Sequence, residues 1–422
     1  MKKFLIISFN FEPNNNPRAI RWNAILNYIK KKNLSVEFIT YKKNKKKYSK
    51  NINFHEHQNK LFNEFKEKNL KLVQSNYIYN IYKITKIILL KIFKFFYKII
   101  VKHIIWPDYA CFTIYPFYKT AVKLIKKKNI KNIITVSHPF SSHVVGLLLK
   151  IRFPYLIWDT DSGDPFSPMK EPKPNNTILY KFFNFYVEKN ILKRCRKFYV
   201  NNLDTKKIYL KYFKSYKKKV TIIEPLCLLQ KKTLSKTKNS KYFFRLYYAG
   251  SFYSKIRSPK PFFQIINKLI KKFPNRKKDI KIYIFTNSLI FNQELKKYPH
   301  LKSIFIIQKP IQYLKLMHFI KNDMISLNFG NKTNLQIPSK LYESIGMGLK
   351  IVNFHYNVDR MSVKILSKYP NRININLDNV INLNILNSFI LKKQLIFSKN
   401  FFKKNFKKNS IEYISNKYFG KL

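Results

Sequence analysis

Apolar residues in this chain come in short continuous runs, and between the runs they recur every three or four positions. Phe4 to Phe9 is the first run. A loop with Pro13, three asparagines and Pro17 follows, and then Ile20, Ala24, Ile25, Tyr28 and Ile29 fall on one helical face. Strand, turn and helix in that order open an α/β unit. Further runs at residues 35–41, 132–138, 154–161, 197–202 and 219–225 read as strands, with helical segments between most of them. Continuous apolar strands alternating with helices predict a parallel sheet covered on both faces.

The polar stretch "QKKTLSKTKNSK" (230–241) has no apolar period and reads as a linker. Beyond it the pattern restarts. Strands are expected at 244–251, 281–287, 303–308, 324–330 and 350–355, with helices near 261–273 and 312–320 and a further one opening at Pro338. Residues 384–422 are Lys-rich and read as helical. The expected organisation is an N-terminal Rossmann-like domain over 1–228, a C-terminal one over 242–395, and a helical tail over 396–422. Ligands in open α/β sheets bind at the carboxyl ends of strands, so two such domains suggest a cleft between them.

One segment departs from this pattern. "IYKITKIILLKIFKFFYKIIVKHII" places Lys83, Lys86, Lys91, Lys94, Lys98 and Lys102 near one helix face. No uncharged run reaches the ~18–20 residues a membrane span needs. Two readings stay open: a helix lying on an anionic membrane surface, and an amphipathic helix with solvated lysines.

Composition adds a charge. The chain has 422 residues, more than one ordinary core holds, and 45% of them are hydrophobic. Lys and Arg number 84 against 20 Asp and Glu, a formal net charge of +64. Such a surface attracts polyanions. Lys, Asn, Ile, Phe and Tyr are over-used together, however, and share A/T-rich codons, so a biased genome explains the same excess. No zinc finger or aromatic stacking signature for nucleic acid is present. Cys111, Cys195 and Cys227 lie far apart and offer neither a metal spacing nor a disulfide framework, which fits a reducing cytoplasm. The N-terminal "MKKFLIISF" has too short an apolar run for a secretory leader and reads as the first strand.

The strand-to-loop junctions are more specific. "SFNFEPNNNPRAIRWNAI", "WPDYACFTIYPFYKTAVKLIKK", "ITVSHPFSSHVVGLLLK", "PYLIWDTDSGDPFSP", "YYAGSFYSKIRSPKPFF" and "LQIPSKLYESIGMGLKIV" occur in this order over roughly residues 3–355. Together they resemble the retaining glycosyltransferases of family four, group-one type, which have the GT-B fold. The resemblance implies two Rossmann-like domains facing a cleft, with an acceptor in the first and a nucleotide-sugar in the second. It further implies a last helix that crosses back to the first domain. The reaction implied is sugar transfer with retention to a carbohydrate or lipid-linked acceptor, in surface polysaccharide or lipopolysaccharide assembly at the inner membrane face. The nucleotide-sugar is a substrate, and no other cofactor is implied.

Site residues follow from the same motifs. Glu343 stands where the family's Glu accepts hydrogen bonds from the ribose hydroxyls, and a carboxylate suits two vicinal hydroxyls. Its structural alternative is a pair with Lys340, three residues earlier on the helix. Pro338 suits a first helical turn, and the amides around Gln336 to Lys340 would open a helix N-terminus for a diphosphate. The family often carries a second Glu eight residues earlier, where this chain has Leu335. Relatives of the "LQIPSKLYE" type can lack it. Gly250, Lys255 and Arg257 match the family's glycine and cations against the diphosphate, where fixed cations lower the barrier to departure. Asn14 to Asn16 replace glycines near the reaction centre, and Asn16, Arg18 and Arg21 are candidates for the acceptor side. His143 matches a family His, with His138 as its alternate. Asp164 matches an Asp of the "DFRDPW" box, whose Arg is Gly163 here. "DTD" (159–161) spells the metal-binding DxD of a different, single-domain fold, and the second α/β half argues against that fold, so no metal is expected. A degenerate GT-B protein binding anionic membrane or nucleic acid is the non-enzymatic alternative. A sugar-nucleotide epimerase is a third reading.

Overall fold

The computed structural model describes residues 1–12, 14, 16–41, 50–57, 104–169, 173, 175–229, 244–321, 323–333 and 339–421. The chain divides into two compact units. One comprises Met1–Ile223 with Tyr418–Leu422, and the other Glu224–Lys417. The Lys-rich face at residues 83–102, the polar stretch at 230–241, Leu335 and Pro338 lie outside the described residues.

The first unit holds a parallel sheet of seven strands in the order β3-β2-β1-β4-β5-β6-β7. These are β1 (Lys2–Ser8), β2 (Leu34–Thr40), β3 (Ile52–Glu56), β4 (Asn132–Val136), β5 (Ile157–Gly163), β6 (Lys197–Val200) and β7 (Val220–Ile222). The intervening helices are α1 (Pro17–Ile29), α2 (Ile114–Lys128), α3 (Ser141–Arg152), α4 (Thr177–Arg194) and α5 (Leu203–Tyr212). Asparagine side chains cap three of them: Asn16 accepts from the Arg18 amide, Asn176 from those of Ile178 and Leu179, and Asn202 from that of Thr205. These oxygens satisfy amides that have no partner within the helix. Trp158 is fully buried between α3 and the sheet. Gly146 permits this, because a Cβ there would come within 2.6 Å of the indole.

The second unit repeats the plan with six parallel strands, ordered β10-β9-β8-β11-β12-β13. They are β8 (Phe244–Ala249), β9 (Ile280–Phe285), β10 (Phe305–Gln308), β11 (Ile325–Phe329), β12 (Lys350–His355) and β13 (Arg372–Asn376). The helices include α6 (Lys260–Lys272), α7 (Leu289–Leu295), α8 (Tyr313–Phe319), α9 (Ser339–Gly346) and α10 (Arg360–Leu366). A phenylalanine cluster fills the core: Phe262 meets Phe329 and Phe354 at 5.1 and 5.4 Å, and Phe263 meets Phe291 at 4.9 Å.

Two differences from the pattern-based expectation stand out. The edge strands "INFHE" (β3) and "RININ" (β13) have too few apolar residues to signal themselves. The helical tail is three short helices, α11 (Leu383–Leu391), α12 (Lys399–Asn405) and α13 (Ile411–Phe419). Ser398 caps the second of them through the Phe401 amide, which ends the preceding irregular stretch.

Candidate functional site

In a doubly wound sheet the chain leaves the middle strands toward opposite edges, and a crevice opens at their carboxyl ends. The second unit has this point between β8 and β11, and the first between β1 and β4. In each unit a side chain bridges the two loops there.

In the second unit the bridge is Arg257. Its Nε donates to Asn331 Oδ1 at 2.9 Å, and its Nη1 reaches Tyr248 OH at 3.2 Å and Ser251 O at 3.3 Å. The loop after β8 therefore holds a cation against the loop after β11. The backbone reinforces this, since Lys332 N donates to Ile256 O at 2.8 Å. Gly250 begins the first loop, and a Cβ on it would lie 2.5 Å from Tyr248 OH. The site needs a glycine there for space rather than for a special φ. Lys255 is exposed on the same loop, with no hydrogen bond or ion pair among the described residues.

Glu343 and Lys340 stand on α9, which follows β11. Both line a small recess together with Tyr247, Tyr248, Leu316 and Ser326. The Glu343 side chain is 13% exposed, and its Lys340 partner lies 3.9 Å away. That separation is an ion-pair contact but not a hydrogen bond. Behind the carboxylate, Ser344 Oγ is 2.7 Å from Ser326 Oγ and 3.3 Å from Tyr247 OH. Burial pushes the Tyr247 phenol up to about 12, with the Glu343 charge adding to it. The recess thus presents one acid and one amine over hydroxyls that stay neutral.

Sequence reasoning missed Asp359 in this unit. It caps α10, accepting from Ser362 N at 3.2 Å and Ser362 Oγ at 2.8 Å. Gly330 makes room for it, since a Cβ there would sit 2.2 Å from Asp359 Oδ2. Burial raises its carboxyl to about 6, partly opposed by its Ser362 bonds and the Arg257 charge. An Asp ahead of a short helical segment was the available signal.

In the first unit Asn10 bridges the crevice, donating to His138 O at 2.7 Å. The expected acceptor-side residues are placed differently from one another. Asn16 is spent as the α1 cap. Arg18 donates to Asp161 at 3.2 Å and to Asn201 at 3.0 Å, and Arg21 lies 3.9 Å from Asp161 and beneath the Tyr418 ring. Trp22 Nε1 gives Asp161 a further bond at 2.9 Å. Arg18 is thus spent on a buried carboxylate, whereas Arg21 is buried beside it with its Nε and Nη2 lacking a hydrogen-bond partner among the described residues. Helical spacing put them on α1 but did not show that β5 sets Asp161 beneath them. Asp164 is partly buried, and its charge acts on Arg18.

His143 is wholly buried in α3, with Nδ1 2.8 Å from Thr135 Oγ1 and the ring against Phe140 and Phe198. Burial depresses it to about 3, so the imidazole is neutral. Enclosed in this way, it does not line an open site. The carboxylates of "DTD" are also engaged: Asp159 pairs with Arg196, and Asp161 with Arg18.

No protein-family model matches this chain, and no curated protein matches it in sequence. Solved structures do match its fold. An α,α-trehalose-phosphate synthase (UDP-forming) from Burkholderia vietnamiensis is 7% identical with a TM-score of 0.61, covering 99% of this chain and 98% of that one. The N-terminal domain of Candida albicans trehalose-6-phosphate phosphatase gives 8% and 0.60, covering 99% and 96%. The catalytic domain of starch synthase IV from Arabidopsis thaliana, bound to ADP and acarbose, gives 8% and 0.56, covering 99% and 98%. At these identities the likeness establishes the fold: two Rossmann-like domains, the GT-B fold that the motif order implies.

Proposed function

We propose that the chain is a glycosyltransferase that moves a sugar from a nucleotide-sugar to a carbohydrate or lipid-linked acceptor with retention. The observation that carries this is Glu343: a carboxylate in a recess at the switch point of the second unit, with only a distant amine as partner among the described residues. Two vicinal ribose hydroxyls would supply the hydrogen bonds it lacks. Fold neighbours described as UDP-forming and as bound to ADP support the same reading.

In this reading Arg257, with Lys255 beside it, faces the diphosphate. The acceptor oxygen bonds to the anomeric carbon as the bond from that carbon to the diphosphate breaks. The diphosphate departs with the bonding pair, and the acceptor's proton goes with it. Charge grows on the leaving group, and a cation already held in place by Asn331 and Tyr248 needs no rearrangement to meet it. Asn10, Asn14 and Asp164 would face the acceptor. His143, Arg18 and Arg21 hold the first unit in shape without touching substrate. The reading includes no cofactor beyond the nucleotide-sugar substrate, and it gives Asp159 and Asp161, each paired with an arginine, no metal to hold. Surface polysaccharide or lipopolysaccharide assembly is the setting proposed.

Nucleotide-sugars screened for thermal stabilisation test the reading. A ligand at 100 times its dissociation constant adds about 2.7 kcal/mol. A stabilising nucleotide-sugar should then lose its sugar only when an acceptor is supplied. Isomerisation of the sugar without an acceptor would show an epimerase instead.

A further inference from the structure

Helix α4 buries one face in the first core through Asn184, Val187, Glu188, Ile191 and Leu192. Among the described residues, large apolar side chains on its other face stay exposed. Ile178 is 91% exposed, Phe182 84%, Tyr186 64% and Leu179 61%. Ile178, Phe182 and Tyr186 stand four residues apart, which makes one stripe along the helix. The same stripe continues as Lys189 and Lys193, both exposed, with Lys181 on its flank. The helix carries one acid, Glu188, and that is buried against Ser167 and Tyr209. Single exposed apolar side chains are ordinary, but a cluster of large ones marks an interaction surface.

We propose that this stripe docks on the surface of an anionic lipid bilayer. Its apolar half would enter the boundary between headgroups and acyl chains, and its lysine half would lie among the headgroups. The order along the stripe argues for this partner. It runs from Ile and Phe through Tyr, whose ring is apolar and whose hydroxyl is polar, to lysines, which is the order of environments met on leaving a bilayer. Charge argues for it too. A chain with a formal net charge of +64 repels a second copy of itself and attracts an anionic surface. Among the described residues no helix is long and apolar enough to cross a membrane, so the contact is one of lying on the surface. The inference stands apart from the proposed reaction and uses none of its residues.

Flotation of the full chain with vesicles tests it, using phosphatidylcholine alone and equal parts phosphatidylcholine and phosphatidylglycerol. The wild type should bind the mixed vesicles and leave them as salt rises. Phe182→Ser with Ile178→Ser should weaken binding at least about tenfold. Lys189→Gln with Lys193→Gln should weaken it by roughly tenfold or more at low salt and match the wild type at high salt. All four positions are exposed, so the melting curves should coincide. A wild type that ignores mixed vesicles, or binds neutral ones equally, overturns the proposal. So does binding that survives Phe182→Ser with Ile178→Ser, which would move docking to another segment. A wild-type dimer that the same pair of changes dissolves, with vesicle binding intact, would give the stripe to a second copy.

Discussion

The guanidinium of Arg18 lies where a Cβ on Gly163 would have to be, with Nη2 1.3 Å and Cζ 2.3 Å from that position. Gly163 also has a φ of +67°, which L side chains rarely adopt. The arginine missing from "DSGDP" is thus matched by an arginine that arrives from α1 and occupies the same space. An arginine at 163 and Arg18 in its present place exclude each other.

Gly163→Ala should therefore be destabilising by at least about 1–3 kcal/mol from backbone strain alone, with displacement of the Arg18 guanidinium added. Arg18→Ala leaves Asp161 short of a partner and should cost about 3–5 kcal/mol. Combining them removes the clash, so the pair should cost less than the sum by about 0.5–3 kcal/mol. Urea unfolding of the two single variants and the double variant measures this. Additive losses would mean that Arg18 can leave Gly163 freely.

Asp359 sets a pH dependence. Burial holds its carboxyl at about 6 in the folded protein, against 3.8 ordinarily. The unfolded chain gives up this proton first, so stability falls as pH rises from about 4 to about 6 and is level above that. The loss is at most about 3 kcal/mol. Asp359→Asn keeps an oxygen for the Ser362 amide and removes the charge. It should melt higher than the wild type at pH 8 and equal to it near pH 4. A lower melting temperature at pH 8 would show that the bonds to Ser362 outweigh the cost of burying the charge.

Arg257 and Lys255 should separate kinetically. Arg257 is fixed by Asn331, Tyr248 and Ser251, whereas Lys255 is exposed and has no such bonds among the described residues. Preorganised charge is what stabilises a leaving group. Arg257→Gln should lower kcat by roughly 10²–10³-fold, the cost of losing one such donor. Lys255→Gln should cost roughly fivefold or less, as exposed charges do. Steady-state rates with a cognate donor would show it. Equal effects would mean that the loop closes on its ligand and orders Lys255 as well.

The strands of both sheets could be read from their apolar runs because parallel strands covered on two faces carry little else. "FLIISF" and "ISLNF" have this character, and "RININ" at an open edge does not. Candidate positions at a strand's carboxyl end were legible where the strand ran into a glycine or a charged loop, as at Gly250 and Arg257. What periodicity could not show was pairing across the fold. Nothing within α1 announces that Arg18 reaches Asp161, which is 143 residues away. Nothing in "SHPFSSH" shows that the ring of His143 turns inward to Thr135. The two aspartates of "DTD" lie on one side of β5, as alternation dictates. Their partners come from elsewhere in the chain, Arg196 from just before β6 and Arg18 from α1.

Glu343 remains the residue on which the nucleotide-sugar reading turns. Its pair with Lys340 is long and its Lys340 partner is 40% exposed, so neither Glu343→Ala nor Lys340→Ala should cost more stability than the ~0–1 kcal/mol of a surface pair, and both should melt close to the wild type. If the carboxylate holds a ribose, Glu343→Ala should weaken nucleotide binding by roughly 10- to 150-fold, the worth of a hydrogen bond to a charged group. Glu343→Gln should fall between that variant and the wild type. Calorimetric titration of the wild type and Glu343→Ala with UDP and with GDP, beside a thermal melt of each, decides the matter. A folded Glu343→Ala protein whose nucleotide affinity has dropped into that range is the expected result. Unchanged affinity in the same folded protein would contradict the ribose assignment and remove the strongest reason to regard this chain as a glycosyltransferase.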